Sequence, residues 1–272
     1  MMEKQKCPIG VFDSGVGGLT VVREMMRRIP GEEIVYFGDT ARVPYGNKSP
    51  ATVTKYADQI VRFLLQQDVK AIVVACNTAS AFALEYLQEH YDIPIIGVVE
   101  PGARAAVAAS RSGRIGVIGT TGTIKSRIYV KHIYNLNPAI QVFGEACQLF
   151  VSLVEEGWID DEVTEAVARR YLSTLLENDI DSLILGCTHF PLLKDVIARV
   201  VGERVDLIDP AIETADTLRL LLTDRELLNP QAQAEGHRFF ISDSAKQFRN
   251  LADRILPCHI DKTSQINLEA YV

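Results

Sequence analysis

Two short stretches concentrate the side chains that could do chemistry. Val69-Lys-Ala-Ile-Val-Val-Ala-Cys76-Asn77-Thr78 and Ile180-Asp-Ser-Leu-Ile-Leu-Gly-Cys187-Thr188-His189 are aliphatic runs of buried-strand character. Each ends in a cysteine and then in hydroxyl, amide or imidazole groups. A free cysteine is by default a small buried hydrophobe, and Cys7, Cys147 and Cys258 are read that way. Cys76 and Cys187 differ because they recur at matching places, followed by residues suited to hold a small polar ligand. If two similar units face each other, their strand ends point into one cleft with a sulfur on either side. That arrangement suits inversion at a carbon bearing a hydrogen. One thiolate takes the proton from one face, the opposite thiol delivers a proton to the other, and the roles exchange in reverse. An unperturbed thiol titrates near about 8.5, so one cysteine must be partly ionised at neutral pH while the other stays protonated. Asp13, beside the first strand end, and His189, two residues past Cys187, are suited to manage those protons.

The elements that hold these groups can be read from the pattern around them. Ile9-Gly-Val-Phe-Asp13-Ser14-Gly15 is echoed by Ile115-Gly-Val-Ile-Gly119-Thr120-Thr121-Gly122, and Ile95-Ile-Gly-Val-Val-Glu100-Pro101 by Val205-Asp-Leu-Ile-Asp209-Pro210. The echoes come in the same order and at nearly the same spacing as the cysteine stretches. The fold class expected is α/β, with two similar domains related by a pseudo-two-fold axis: residues 1–99 with 211–272, carrying Cys76, and residues 100–210, carrying Cys187. Each is a mainly parallel sheet flanked by helices, with the site in the cleft between them. In the first unit, residues 9–12 and 34–37 predict strands, and residues 13–19 a glycine-rich turn into a helix. Such a turn either brings backbone amides close to an anion at a helix start or is only a tight strand-to-helix connection, and Gly15, Gly17 and Gly18 lack dinucleotide-binding spacing. Residues 38–48 form an irregular loop, read either as ligand-facing or as a surface turn in which Tyr45 only covers core. Ser49-Pro50 caps and opens a helix. The Cys76 strand runs through Ala79 into one helix carrying Phe82, Leu84, Tyr86 and Leu87, and residues 93–99 form the next strand. The second unit has a strand at 115–118, a helix through Ile124 and Ile128, a helix from Asp160 with Val163, Val167, Tyr171 and Leu175 on its apolar stripe, and a helix begun near Pro191. A tail with a helix over 212–222, a strand over 238–241 and a helix to Leu256 has no counterpart in the repeat and is expected to return to the first unit. Strands alternating with helices put ligand groups at strand carboxyl ends, where Cys76, Asn77, Thr78, Asp13 and Ser14 all fall.

At 272 residues, 47% hydrophobic and 23% charged, the chain can bury cores of ordinary size. A formal net charge of −7 without a basic run argues against a nucleic-acid partner. No signal-peptide stretch precedes the first strand and no run approaches the roughly 20 apolar residues of a membrane span, so a cytoplasmic location without a membrane partner is expected. The five cysteines should then be reduced thiols. They show no CxxC spacing and no His/Cys cluster, and no metal is assigned.

Asp13-Ser14-Gly15-Val16-Gly17-Gly18-Leu19, Pro44-Tyr45-Gly46, Ala75-Cys76-Asn77-Thr78-Ala79 and Gly186-Cys187-Thr188-His189-Phe190-Pro191 resemble, in order, the signatures of the aspartate/glutamate racemase family, and of its glutamate racemases in particular. The resemblance extends over nearly the whole chain. It implies an isomerase needing no cofactor that interconverts L- and D-glutamate and supplies D-glutamate for peptidoglycan, commonly as a homodimer. It implies Cys76 as the base toward D-glutamate and Cys187 as the base toward L-glutamate, with Asp13, His189 and Glu155 (or its neighbour Glu156) as acid–base partners. Substrate contacts are implied for Asp13, Ser14, Tyr45, Gly46, Asn77, Thr78, Thr188 and His189, and for Thr120, Thr121 and Thr123 in a hydroxyl-bearing turn. The short N-terminus leads to the expectation of activity without a cell-wall precursor as activator. Because the matched segments contain few Lys or Arg, the carboxylates of glutamate are expected to rest on hydroxyls, Asn77 and backbone amides at helix starts. Three other readings stay open here. They are an aspartate racemase using the same thiols, a cysteine hydrolase with Cys187 and His189 as a dyad, and a two-lobed binding protein for a small acid.

Overall fold

The computed structural model describes every residue except Met1, Glu235, Ser244, Asp261 and Val272. The described strands are β1 (Ile9–Asp13), β2 (Ile34–Gly38), β3 (Ala71–Val74), β4 (Ile95–Gly97), β5 (Arg114–Gly119), β6 (Gln141–Ala146), β7 (Ser182–Gly186), β8 (Asp206–Ile208), β9 (His237–Ile241) and β10 (Thr263–Gln265). They form two sheets, ordered β10-β9-β2-β1-β3-β4 and β6-β5-β7-β8. Every pairing in both sheets is parallel. The order β2-β1-β3-β4 matches β6-β5-β7-β8, so the echo in the sequence is also an echo in topology. The two strands that lead to cysteines, β3 and β7, hold equivalent places beside β1 and β5. The tail adds β9 and β10 to the first sheet beyond β2.

Each sheet is covered on both faces, which is why its strands read as continuous aliphatic runs. In the first sheet, Val11, Tyr36 and Val73 point to a core shared with the helices Leu19–Arg28 and Pro210–Asp224. Their chain neighbours Phe12, Phe37 and Val74 point to the opposite core under the helix Pro50–Leu65. In the second sheet, Ile118, Leu183 and Leu185 face the helices Leu149–Glu155 and Glu162–Glu177, while Val117 and Ile184 face Val99–Ala109 and Ile128–Leu136. Pro50–Leu65 begins as its sequence dictates, with Ser49 Oγ accepting from the Thr52 amide at 3.2 Å and proline in the first turn.

Several local expectations need correction. The segment after Cys76 is two helices, Asn77–Phe82 and Leu84–His90, and it begins at Asn77. The strand expected over 93–99 is only Ile95–Gly97, because Val99 already opens the helix that carries Pro101 in its first turn. The helix through Ile124 and Ile128 is broken at Arg127, which is left-handed at φ 55°. In Glu162–Glu177, Leu175 is buried and Val167 and Tyr171 pack against the core as expected, but the stripe is centred on Thr164, Ala168 and Leu172, and Val163 is exposed. Of the three cysteines read as buried hydrophobes only Cys147 is buried; Cys7 is half-buried and Cys258 exposed.

Candidate active site

Parallel register brings the functional groups to one edge of each sheet. Asp13 pairs with Gly38 at the end of β1, and Phe12 with Val74 at the end of β3, so the Asp13-Ser14 turn and Cys76 leave the first sheet side by side. Gly119 pairs with Gly186 in the second sheet, so Thr120 and Cys187 do the same there. The two edges face each other across a cavity lined by Ser14, Val43, Pro44, Tyr45, Gly46, Cys76, Asn77, Thr78, Thr120, Val151, Cys187, Thr188 and His189. Cys76 and Cys187 thus open into the same space. Its free volume is about 20 Å³, room for about one water molecule and too little for an amino acid.

The walls are stitched across the cleft. Thr188 Oγ1 donates to Asp13 Oδ1 at 3.3 Å, and Thr20 Oγ1 donates to the Thr188 carbonyl at 3.2 Å. On the other side Thr78 Oγ1 lies 2.9 Å from Thr120 Oγ1 and 3.2 Å from Thr123 Oγ1, which are themselves 3.1 Å apart. Two glycines permit this closeness. A Cβ on Gly46 would stand 2.7 Å from Thr120 Oγ1, and one on Gly17 2.6 Å from His189 Nδ1.

The two sulfurs have different neighbours. Cys76 Sγ donates to Ser14 Oγ at 3.8 Å. Burial, with the nearby Asp13 charge, pushes its thiol up to about 12 against the smaller opposing pull of the Ala79 amide and Ser14 hydroxyl. Cys76 is therefore a neutral thiol at neutral pH. Cys187 Sγ lies 3.9 Å from His189 Nδ1, and His189 Nε2 lies 3.3 Å from Glu155 Oε1. Burial alone would pull His189 down. The hydrogen bonds to Cys187 and Glu155 and the charges of Cys187 and Asp13 outweigh it together, lifting the imidazole to about 10. An imidazolium thus stands beside Cys187. Asp13 is raised by burial, which exceeds the opposing effects of the His189 charge and the amides of Gly18, Gly15 and Ser14. Its Oδ2 accepts from the Gly15 and Gly18 amides, each at 3.0 Å.

Of the residues singled out from sequence, Ser14, Tyr45, Gly46, Cys76, Asn77, Thr78, Thr120, Cys187, Thr188 and His189 line the cavity. Asp13, Thr123 and Glu155 stand one hydrogen bond behind the wall, and it is Glu155, not Glu156, that holds His189. Thr121 lies off the wall, its amide donating to Gln148 Oε1. The Tyr45 hydroxyl is taken by Asp39, so the residue both packs the core and borders the cavity. Three further residues line the cavity without having been expected as contacts: Val43 and Pro44 from the loop over 38–48, Pro44 within the Pro44-Tyr45-Gly46 motif, and Val151 from a helix that no motif signals. No Lys or Arg is among the lining residues. Among the described residues no group of three or more His, Cys, Asp or Glu side chains is arranged to hold a metal ion, and no helix is long and apolar enough to cross a membrane.

A profile of the Asp/Glu/Hydantoin racemase family matches residues 9–218. The chain belongs to this family. This racemase-family enzyme is 53% identical to the glutamate racemase of Geobacter metallireducens, over 96% of this chain and 97% of that relative. Its fold matches the crystal structure of glutamate racemase from Francisella tularensis in complex with D-glutamate with a TM-score of 0.92 at 42% identity, covering 98% of this chain and 100% of the other. It matches glutamate racemase of Bacillus anthracis with a TM-score of 0.94 at 43% identity, covering 97% and 98%. The chain is accordingly an isomerase of two parallel α/β sheets flanked by helices, the fold of these neighbours.

Proposed function

We propose that this enzyme is a glutamate racemase that interconverts L- and D-glutamate by two opposed cysteines without a cofactor. The observation that carries this reading is the single cavity bordered by Cys76 from one sheet edge and Cys187 from the other. Cys187, beside the His189 imidazolium, takes the α-proton from one face while the neutral Cys76 thiol delivers a proton to the other. In reverse, Cys76 is the base, with Asp13 as its carboxyl neighbour. Glu155 keeps His189 charged and oriented. With no Lys or Arg on the wall, the substrate carboxylates rest on the hydroxyls of Ser14, Thr78, Thr120 and Thr188, on Asn77 and on the amides at the starts of Asn77–Phe82 and Thr121–Ser126. Donors of this kind also stabilise negative charge that spreads into the α-carboxylate as the proton leaves.

The working units in this reading are residues 1–99 with 211–272 and residues 100–210. Since the closed cavity is too small for glutamate, the units separate to admit it. The product serves peptidoglycan synthesis in the cytoplasm, and the enzyme acts as a homodimer. Identity near one half to a curated glutamate racemase favours glutamate over aspartate, and a hydrolytic Cys187–His189 dyad would leave Cys76 without a task. The test is circular dichroism of L-glutamate, D-glutamate and L-aspartate incubated with the purified protein. Both glutamate enantiomers are expected to decay to the racemate and aspartate to persist. Unchanged glutamate, or faster loss of aspartate signal, would overturn the assignment.

A further inference from the structure

Behind the cavity wall, Tyr129 of the helix Ile128–Leu136 reaches across from the second half of the chain to the first. Its hydroxyl donates to Asn77 Oδ1 at 2.7 Å. Both residues are buried. The ring packs against the strand that leads to Cys187, since a Cβ on Gly186 would stand 3.1 Å from Tyr129 Cε2. The hydroxyl lies beside the helix start after the chain's first passage between sheets, 3.5 Å from where a Gly102 Cβ would be. Pro210, at the second passage, packs on the same glycine. Tyr129 therefore sits beside both passages of the chain between the two sheets. Asn77 follows Cys76 directly and is exposed to the cavity.

An amide side chain has two faces, one accepting and one donating, and without a fixed partner it presents either to a ligand. We infer that Tyr129 is a positioning residue for racemisation: by occupying Asn77 Oδ1 it commits the Asn77 NH₂ group to the cavity as a donor for a substrate carboxylate. The inference rests on the reading of the cavity as the racemisation site. Burial, with the charges of Cys187 and Asp209 nearby, raises the phenol well above its ordinary range, so it stays protonated and donating throughout the working pH range. The consequence is one of specificity. A locked Asn77 favours a carboxylate over an amine or amide at that point of the cavity, whereas a free one can turn its oxygen inward.

The test is Tyr129→Phe, which keeps the ring against Gly186 and removes only the donor. KM for L-glutamate is expected to rise about tenfold, the size of one buried hydrogen bond of about 1.4 kcal/mol, with kcat falling less than about threefold. Calorimetric affinity for DL-glutamate at racemic equilibrium should weaken by the same factor. In an Asn77→Ala background the added Tyr129→Phe change should cause no further loss of affinity, because the hydroxyl then has no amide to orient. A purely structural role would lower thermal stability and weaken binding by the same factor in both backgrounds. Equal losses in both backgrounds, or unchanged KM and affinity in Tyr129→Phe, would overturn the inference while leaving wild-type racemisation intact. Absence of racemisation in the wild type would instead overturn the functional reading.

Discussion

The pairing of Glu155 with His189 makes a quantitative prediction about pH. Glu155→Gln keeps a hydrogen-bonding group near His189 Nε2 but removes a charge 3.3 Å away. At an effective dielectric of about 20 that charge is worth about 5 kcal/mol to the imidazolium. The Glu155 side chain is 28% exposed, so water screens most of this, and about 1.4 kcal/mol, one pKa unit, is the expected remainder. His189, held up to about 10 in the wild type, should therefore lose its proton about one unit lower in the variant. Activity at pH 7 should fall less than about tenfold, because the imidazole is still charged there, while the alkaline limb of kcat/KM moves about one unit toward neutrality. The assay is polarimetric racemisation from pH 6 to about 10.5, run in both directions, with an NMR titration of the His189 ring as a direct reading. The substrate ammonium titrates identically for both proteins, so the difference between profiles isolates the enzyme. An alkaline limb that stays in place, or moves upward, would refute the claim that Glu155 acts through the charge on His189.

Other consequences follow from the same contacts. Burial raises Asp13 above its ordinary 3.8, so its contribution to stability is full below that value and is lost as pH rises through the higher folded-state value. Asp13→Asn, which can keep the Gly15, Gly18 and Thr188 partners, should gain thermal stability relative to the wild type between pH 4 and 7 while racemisation drops at least about 100-fold; a relative loss of stability over that window would contradict this. Gly46→Ala puts a methyl 2.7 Å from Thr120 Oγ1 and wedges the cleft at the threonine triangle, so kcat/KM should fall about 100-fold with little change in melting temperature. Lys70 and Glu32 form a buried ion pair of 2.5 Å just before β3 and β2, at the sheet edge away from the cavity. Lys70→Met should cost about 3–5 kcal/mol in urea unfolding, with kcat of the folded protein within about twofold of the wild type.

What was legible in the sequence was whatever the fold buries on both sides. β1, β3, β5 and β7 are central strands whose two faces both meet helices, so they stand out as aliphatic runs and their ends locate Asp13, Cys76, Thr120 and Cys187. β6 and β10 are edge strands with half-exposed, mixed sequences such as Gln141-Val-Phe-Gly-Glu-Ala146, and neither periodicity nor composition marks them. In Glu162–Glu177, Val167, Tyr171 and Leu175 meet the core as their spacing predicts, but small residues, Thr164 and Ala168, are what the core accepts at the first turns, leaving the larger Val163 outside. Glu155 could not be told from Glu156 until the helix Leu149–Glu155 fixed which side chain reaches His189. Tyr129 and Val151 carried no motif at all, since their place at the site comes from helices packing on the second sheet.

The central claim is that the sulfur on one side of a bound amino acid takes its α-proton while the sulfur on the other side delivers a different proton to the same carbon. Its most direct measurement is L-glutamate incubated in deuterated water with wild type, Cys76→Ala and Cys187→Ala, following optical rotation and α-deuterium together. The account predicts inversion with solvent deuterium in the D-product for the wild type and no racemisation in either variant. Full racemisation by either variant, or inversion by the wild type with the α-proton retained, would contradict it.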